Sequence, residues 1–201
     1  MLLTSELQLA KKVLDESGVI AFPTETVMGL GIYFNDEKAY KRLNEIKNRP
    51  EDKPYTLMLA DKTEISKYAY IDNKAQKVIN TFMPGPITIL LKSKDIVPGY
   101  VTHNTGIIGI RVPDTPLVIE LINYCKTPLL VPSANKSGNK PALTSYEVKD
   151  IFHDEVGYVF NADSGRQAPS TIIDLTGEEV KILREGPITL DDINKIINGG
   201  K

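Results

Sequence analysis

The sequence predicts a layered α/β (α+β) sandwich formed by one domain over residues 1–201. Three observations predict it. Helical and strand-like hydrophobic periods alternate along the chain, and 201 residues suit one domain of ordinary size. The composition, 41% hydrophobic and 25% charged, is ordinary for a soluble globular protein. A chain of this length buries enough surface to fold without disulfides or metals.

Composition also narrows the classes of function. Lys and Arg number 24 against 26 Asp and Glu, so the net charge of −2 argues against coating nucleic acid by bulk positive charge, although a local basic patch stays open. The one cysteine, Cys125, can form no intramolecular disulfide, which favours a cytoplasmic protein, and we expect it to pack in the core. His103 and His153 stand far apart without cysteines or paired acids nearby. We therefore expect surface histidines and no zinc site.

The N-terminal half alternates between the two periods, and it starts without a signal-length apolar core. Residues 5–17 place apolar side chains on one helical face, and Gly18 stands where that helix should end. Residues 19–22 form an apolar run typical of a buried strand, which Pro23 halts. Helices are then predicted over 36–47 and 72–82, and strands over 55–59 and 88–91.

The C-terminal half repeats the pattern with shorter elements. The periodicity predicts helices over 116–125, 144–152 and 189–197. It predicts strands over 107–112, 129–131, 158–160, 170–175 and 180–183. No apolar run approaches the roughly 20 residues that a membrane span needs.

Four loop segments bring Pro or Gly together with polar side chains just past strand or helix ends: residues 23–31, 47–50, 132–138 and 184–186. Ligands of α/β sheets bind at such edges, so we expect the functional site there. Familiar nucleotide motifs are missing from the sequence. The GxG at residues 29–31 has Phe34 where a dinucleotide loop needs its third glycine, and no P-loop or nucleophile-elbow pattern occurs.

Lys47 and Arg49 form a cation pair at the end of the second predicted helix. Pro50 biases Arg49 away from helical geometry, so we expect the chain to open there and both cations to lie on exposed positions. Two interpretations stay open. The pair complements the helix dipole, or it clamps a polyphosphate with a lysine point charge and an arginine fork.

Ser133 and Asn135 follow a strand that ends in a proline. If the chain stays extended, residues two apart point the same way and offer a hydroxyl and an amide to one ligand. The alternative is a turn whose side chains bond their own backbone, which is the commoner arrangement for these residue types.

Arg111 lies among apolar neighbours inside a predicted strand. A charge in such a place must be paired, either with a protein carboxylate or with an anionic substrate. Arginine matches a carboxylate in two-pronged fashion, which favours a carboxylate-bearing ligand.

Seven motifs taken together resemble one family. They are PTETVMGLG (23–31), KNRPEDKP (47–54), PGPIT (84–88), GIRVP (109–113), PSANKSG (132–138), STIIDL (170–175) and REG (184–186), in the order and spacing of the YrdC/YciO family. The resemblance implies a three-layer sandwich around a twisted mixed β-sheet, with a deep, positively lined central cavity. It also implies a nucleotidyltransferase, the threonylcarbamoyl-AMP synthase, which makes threonylcarbamoyl-AMP and pyrophosphate from L-threonine, bicarbonate and ATP. Partner proteins then move the threonylcarbamoyl group to the adenosine beside the tRNA anticodon.

The resemblance assigns roles to individual residues. The implied catalytic set, which contacts ATP, is Lys47, Arg49, Ser133 and Asn135. Further ATP contacts fall on Lys53, Ile107 and Arg184. Threonine contacts fall on Thr26, Met58, Arg111, Val131 and Ser170. A magnesium ion carried on the ATP phosphates is implied, and no protein ligand for a metal stands out.

Two residues depart from the family pattern. Met28 stands where the family has tyrosine, and Met58 stands where a histidine is common. Methionine at the second position is similar to the YciO branch. That branch usually lacks the full KxR pair (Lys47 and Arg49) and SxN pair (Ser133 and Asn135) that this chain keeps. Because the sequence ends at Lys201, we expect this chain to lack the extra C-terminal domain of longer family members.

Three classes of function therefore stay open. The first, which the complete motif set favours, is the synthase. The second is a YciO-like or carbamoyl-handling paralogue with another acceptor. The third is a non-catalytic RNA-binding module that holds tRNA or double-stranded RNA weakly on a concave basic surface.

Overall fold

A nine-stranded mixed β-sheet organises the computed structural model, which describes residues 4–48, 54–165 and 168–199. Its strands are β1 Ile20–Phe22, β2 Gly29–Tyr33, β3 Thr56–Met58, β4 Ile87–Lys92, β5 Ile107–Arg111, β6 Leu129–Val131, β7 Tyr158–Val159, β8 Thr171–Asp174 and β9 Lys181–Arg184. The α-helices in these ranges are α1 Thr4–Asp15, α2 Glu37–Lys47, α3 Ile65–Tyr68, α4 Asn73–Phe82, α5 Gly99–Thr102, α6 Pro116–Cys125, α7 Ser145–Phe152 and α8 Leu190–Ile197. None of these helices is long and apolar enough to cross a membrane.

The strands lie in the order β7-β1-β2-β6-β3-β5-β4-β8-β9. The pairs β1–β7, β3–β5 and β4–β8 are parallel, and the remaining pairs are antiparallel. Residues paired across neighbouring strands share a face of the sheet. The register pairs Met58 with Arg111, and Thr88 with Ile172, which in turn pairs with Arg184. These residues therefore project from the sheet on the same side as one another within each set.

Helices cover both faces of the sheet and bury two apolar cores. On one face α1 and α6 pack against Phe22, Leu129 and other strand residues. On the other face α2, α4, α7 and α8 pack against the side chains that alternate with them, such as Ala21 and Leu130. The arrangement is a helix–sheet–helix sandwich, and the α/β prediction is confirmed.

Most elements form where hydrophobic periodicity predicts them. Residues 116–125 form a helix and residues 129–131 a strand, with the predicted bounds. The predicted helix starts hold because polar side chains accept the first free N–H groups. Asp36, Asp72 and Thr144 each accept one from a residue three positions later. Cys125 is buried in the α1 and α6 core, as expected.

Two expectations about the fold are wrong. The segment 23–31 was expected to be a loop throughout, yet β2 begins at Gly29, inside it. Glycine disfavours strands in general, but here a Cβ on Gly31 would lie 2.5 Å from a ring carbon of Phe22, so the missing side chain makes room for the core. His103 is half-buried rather than at the surface, and its Nε2 lies 2.8 Å from the hydroxyl of Tyr40, whereas His153 is exposed as expected.

Candidate active site

A cavity of about 150 Å³ opens on the sheet face that also carries α1 and α6. Arg111 and Thr88 lie on this face because their strand neighbours Ile110 and Ile89 pair with each other and point into the opposite core. The polar lining comes from Thr24, Thr26, Thr56, Thr88, Arg111, Ser133, Ser170 and Arg184. The apolar lining includes Met28, Tyr55, Met58 and Val131. Hydroxyl groups and two guanidinium groups thus face a partly apolar space.

A chain of hydroxyl groups lies on the loop between β1 and β2. The Thr24 hydroxyl donates to the carbonyl of Val27 at 2.7 Å, so its single proton is committed. The Thr26 hydroxyl lies 2.8 Å from Thr24 Oγ1 and must therefore be the donor of that pair. Thr26 Oγ1 also accepts from Nη2 of Arg111 at 3.1 Å. What Thr26 has left to offer the cavity is a lone pair, not a proton.

Arg111, at the end of β5, is 5% exposed and pairs with a protein carboxylate. Its Nη2 lies 2.8 Å from Oε1 of Glu25, so the first of the two pairings that the sequence leaves open is present. Its buried Nε has no hydrogen-bond partner within the described parts of the chain. Burial acts to raise the pKa of the Glu25 carboxyl. The charge and hydrogen bond of Arg111, together with the Asp114 N–H, outweigh burial and hold that pKa below its usual range.

Arg184 and Ser170 form the opposite side of the cavity. The Arg184 guanidinium donates from Nε to the Ser170 carbonyl at 2.9 Å and from Nη2 to the Ser170 hydroxyl at 3.0 Å. The same hydroxyl lies 3.2 Å from that of Thr88 on β4. Burial lowers the pKa of Arg184, and the nearby charge of Arg111 lowers it further. Two cations this close in a partly buried space favour an anionic ligand between them.

Lys47 differs from the expectation of an exposed cation. It is 1% exposed, and its Nζ donates to the carbonyls of Ser133 and Asn135 at 2.6 Å each. The reason is that the 132–138 loop folds over the end of α2, where Ser137 N also donates to the Lys47 carbonyl. Lys47 therefore lies behind the cavity wall rather than on the surface.

The SxN pair has one member at the cavity and one behind it. Ser133 lines the cavity and donates its hydroxyl to Oδ1 of Asn135 at 2.6 Å. The Nδ2 of Asn135 donates to the carbonyls of Lys136 and Asn139, both at 2.9 Å. Because both amide hydrogens are used within its own loop, Asn135 braces the loop, and Ser133 alone of the pair meets the cavity.

The remaining predicted site residues divide into three groups. All five residues assigned to threonine, namely Thr26, Met58, Arg111, Val131 and Ser170, line the cavity. Ile107 does not line it, because it stands at the other end of β5 from Arg111, about 13 Å away at roughly 3.3 Å per residue. Arg49 and Lys53 lie outside the described residues.

Sequence reasoning missed several members of the site. Glu25 sits inside the PTETVMGLG segment, and its charge next to a threonine pair was the available signal. Thr24 and Thr88 are buried hydroxyl residues at or beside strands, and nothing in their local sequence separates them from core threonines. Within the described residues, no three His, Cys, Asp or Glu side chains cluster as metal ligands. The site can therefore bind an anion and a small polar group through arginines and hydroxyls.

Most of the chain is similar to members of one protein family. The family model of the Sua5, YciO and YrdC proteins, described as telomere recombination, matches residues 12–186. A threonylcarbamoyl-AMP synthase of Pyrococcus abyssi is 32% identical over 96% of this chain and 57% of its own length. A threonylcarbamoyl-AMP synthase of Klebsiella pneumoniae is 36% identical over 88% of this chain and 94% of its own length. The chain thus spans little more than half of the first relative and nearly all of the second.

Two solved structures share the fold closely. Sua5 of P. abyssi in complex with L-threonine superposes with a TM-score of 0.93 at 32% identity, covering 98% of this chain and 58% of that one. YciO of Escherichia coli superposes with a TM-score of 0.87 at 28% identity, covering 95% of this chain and 94% of that one.

Proposed function

The chain belongs to the Sua5, YciO and YrdC family, and we propose that it is a threonylcarbamoyl-AMP synthase. The observation that carries the proposal is that one cavity collects all five side chains assigned to threonine. The threonine amine adds to carbon dioxide from bicarbonate and gives an N-carboxylate. An oxygen of that carboxylate attacks the α-phosphorus of ATP and pyrophosphate leaves. One molecule each of L-threonine, bicarbonate and ATP yields threonylcarbamoyl-AMP, pyrophosphate and water.

The amino acid is held by groups of complementary polarity. Its carboxylate meets the Arg111 guanidinium, whose Nε has no hydrogen-bond partner within the described residues. Its amine donates to Thr26 Oγ1, which keeps a lone pair and no free proton. Thr26 therefore orients the amine and does not act as a base, because the hydrogen-bond chain behind it ends on the carbonyl of Val27. Ser170 completes the pocket on the Arg184 side.

The nucleotide lies across the rest of the cavity toward Ser133 and Arg184. Charge builds on phosphate oxygens when pyrophosphate leaves, and guanidinium groups fixed in a partly buried site stabilise that charge. Arg184 is fixed by two hydrogen bonds to Ser170. Lys47 adds positive charge next to Ser133, because its Nζ donates to the Ser133 carbonyl. Arg49 and Lys53 follow Lys47 in sequence and complete the cation set in this proposal. Magnesium enters as part of the ATP substrate, and the product passes to proteins that modify tRNA.

Pyrophosphate release tests the proposal when each substrate is omitted in turn. The synthase requires ATP, L-threonine and bicarbonate together, and omission of any one abolishes release. Release without any amine, or a larger release with another amine than with threonine, contradicts it. RNA binding that weakens steeply with salt, without any turnover of ATP, would instead favour a non-catalytic RNA-binding module.

The second candidate is a YciO-like paralogue with another acceptor. Met58 favours it, because methionine at this position is similar to the YciO branch. With Met28 it gives the cavity two apolar, flexible side chains where the family pattern has tyrosine and commonly histidine. A panel of amino acids and other amines in the pyrophosphate assay separates the two candidates. Threonine gives the largest response for the synthase, and a different amine does so for the paralogue.

A further inference from the structure

We propose that Glu25 is a positioning residue that sets how Arg111 meets the amino-acid carboxylate. The inference rests on the proposed function, since it concerns the same cavity and the same ligand group. Glu25 does not line the cavity, whereas its neighbours Thr24 and Thr26 do. It therefore acts on the ligand through Arg111 and not by contact.

The contacts of the Arg111 guanidinium are concentrated on one nitrogen. Nη2 has two hydrogens, and within the described residues one goes to Glu25 and the other to Thr26. Nε is buried and has no partner there. An unpaired donor in a side chain that is 5% exposed carries a desolvation penalty, which a ligand acceptor relieves. Glu25 thus fixes the plane of the guanidinium and, with it, how Arg111 faces the cavity that it lines.

Glu25 is itself held from the side away from the cavity. Its Oε1 accepts from the backbone N–H of Asp114 at 3.1 Å, and its Oε2 accepts from the Thr115 hydroxyl at 3.0 Å. Its own N–H donates to the Thr115 hydroxyl at 2.9 Å. These protein donors hold the Glu25 carboxylate in place. It therefore does not move to compete with a ligand carboxylate for the Arg111 guanidinium.

Thr115 supports the inference from another direction. It is the N-cap residue of α6, the position where a threonine hydroxyl ordinarily accepts an N–H of the first helical turn. Here the hydroxyl makes no cap hydrogen bond and serves Glu25 instead. The Thr115 hydroxyl therefore does not cap α6 and instead holds Glu25, the carboxylate that pairs with Arg111.

A positioning role and a purely neutralising role of Glu25 predict opposite results when its carboxylate is removed. If Glu25 only neutralises Arg111, then Glu25→Gln leaves a more positive cavity that binds a carboxylate more tightly. If Glu25 positions Arg111, the same change raises the KM for L-threonine on the order of tenfold or more, the value of a lost charge-assisted hydrogen bond. The KM for ATP stays at the wild-type value, because Arg184 and Ser133 are untouched.

A second, milder variant keeps the inference testable if Glu25→Gln fails to fold. Thr115→Val keeps the ion pair but removes the hydroxyl that anchors Glu25, so its KM for L-threonine should lie between those of the wild type and Glu25→Gln. Thr115→Ser keeps the hydroxyl and should restore the wild-type KM. Glu37→Gln is the charge-matched control, since it removes the carboxylate of an exposed pair with Lys41 on α2.

The experiment combines pyrophosphate kinetics with thermal stabilisation by L-threonine, which reports binding without turnover. A raised KM and weaker stabilisation in Glu25→Gln and Thr115→Val, with Thr115→Ser and Glu37→Gln unchanged, support the inference. An unchanged or lowered KM in both variants overturns it while the proposed function stands. If the wild type binds L-threonine but shows no turnover, and the two variants bind it more weakly, the inference is supported and the proposed function is overturned. A wild type that L-threonine neither stabilises nor drives to pyrophosphate release overturns both.

Discussion

Asn135→Ala tests whether the SxN amide braces its loop or meets the ligand. In the structure the side chain is 9% exposed and makes three hydrogen bonds of 2.9 Å or shorter, to Ser133, Lys136 and Asn139. At about 1 kcal/mol net for each bond, alanine should destabilise the fold by about 3 kcal/mol. The carbonyl of Lys136 keeps a second donor, the Asn139 N–H. Lys47 Nζ loses a 3.4 Å contact to Asn135 Oδ1 but keeps two backbone carbonyls, so the total loss should not exceed this figure by much. For a domain of this size the melting temperature should fall by about 6–12 °C.

The assay measures thermal unfolding and ATP affinity on the same preparations. Below the melting temperature of the variant, its folded molecules should bind ATP with nearly wild-type affinity. Asn139→Ala is the matched control, because that side chain is exposed and lies in the same loop, and its carbonyl contact to Asn135 is retained. An unchanged melting temperature together with lost ATP affinity would refute the bracing role and show that the amide meets the nucleotide.

Three other predictions follow from the structure. Glu25 has a pKa below its ordinary value of 4.5 in the fold, so it contributes stability above that pH which is lost as the pH falls through the folded pKa. The gap in unfolding free energy between wild type and Glu25→Gln should therefore shrink on acidification below pH 4.5 in urea titrations. Gly31→Ala should destabilise the fold by about 1–3 kcal/mol, because the new Cβ meets the Phe22 ring at 2.5 Å, while Gly177→Ala, which meets no atom within 4 Å, should be close to neutral in the same titrations. Met58→His should sharpen the preference for L-threonine over L-serine in pyrophosphate release, because an imidazole offers the substrate hydroxyl a hydrogen bond that a thioether does not.

Each of these has a clear contrary result. A constant gap across the acid range would mean that Glu25 has an ordinary pKa in the fold. Equal stabilities of the two glycine variants would mean that Phe22 moves aside at no cost. An unchanged ratio of threonine to serine turnover would show that the substrate side chain does not face Met58.

Elements with a strong period could be predicted from the sequence. The helix at 116–125 shows an apolar face broad enough to identify, and the helix predicted over 36–47 begins at the acid, Asp36, that caps α2. Strand β2 could not be predicted from propensity, because glycine disfavours strands. Its two glycines leave space for the Phe22 ring and the Val131 side chain, which lie on other strands. Local sequence does not report which strands become neighbours.

The site shows the same division. The candidate threonine contacts could be located from the motifs, since Thr26, Arg111 and Ser170 all reach the cavity. The partner of Arg111 could not, because Glu25 is far away along the chain and one of many acids. The burial of Lys47 was also out of reach, because a lysine in the last turn of a helix is ordinarily solvated and only the fold of the 132–138 loop encloses it.

The most direct test of the central claim is the fate of isotopically labelled bicarbonate. The purified chain is incubated with ¹³C-bicarbonate, L-threonine and ATP, and the nucleotides are analysed by mass spectrometry. The account predicts a product with the mass of threonylcarbamoyl-AMP that carries one labelled carbon and forms together with pyrophosphate. Pyrophosphate release with no labelled adenylate, or a labelled product that forms without threonine, would contradict it.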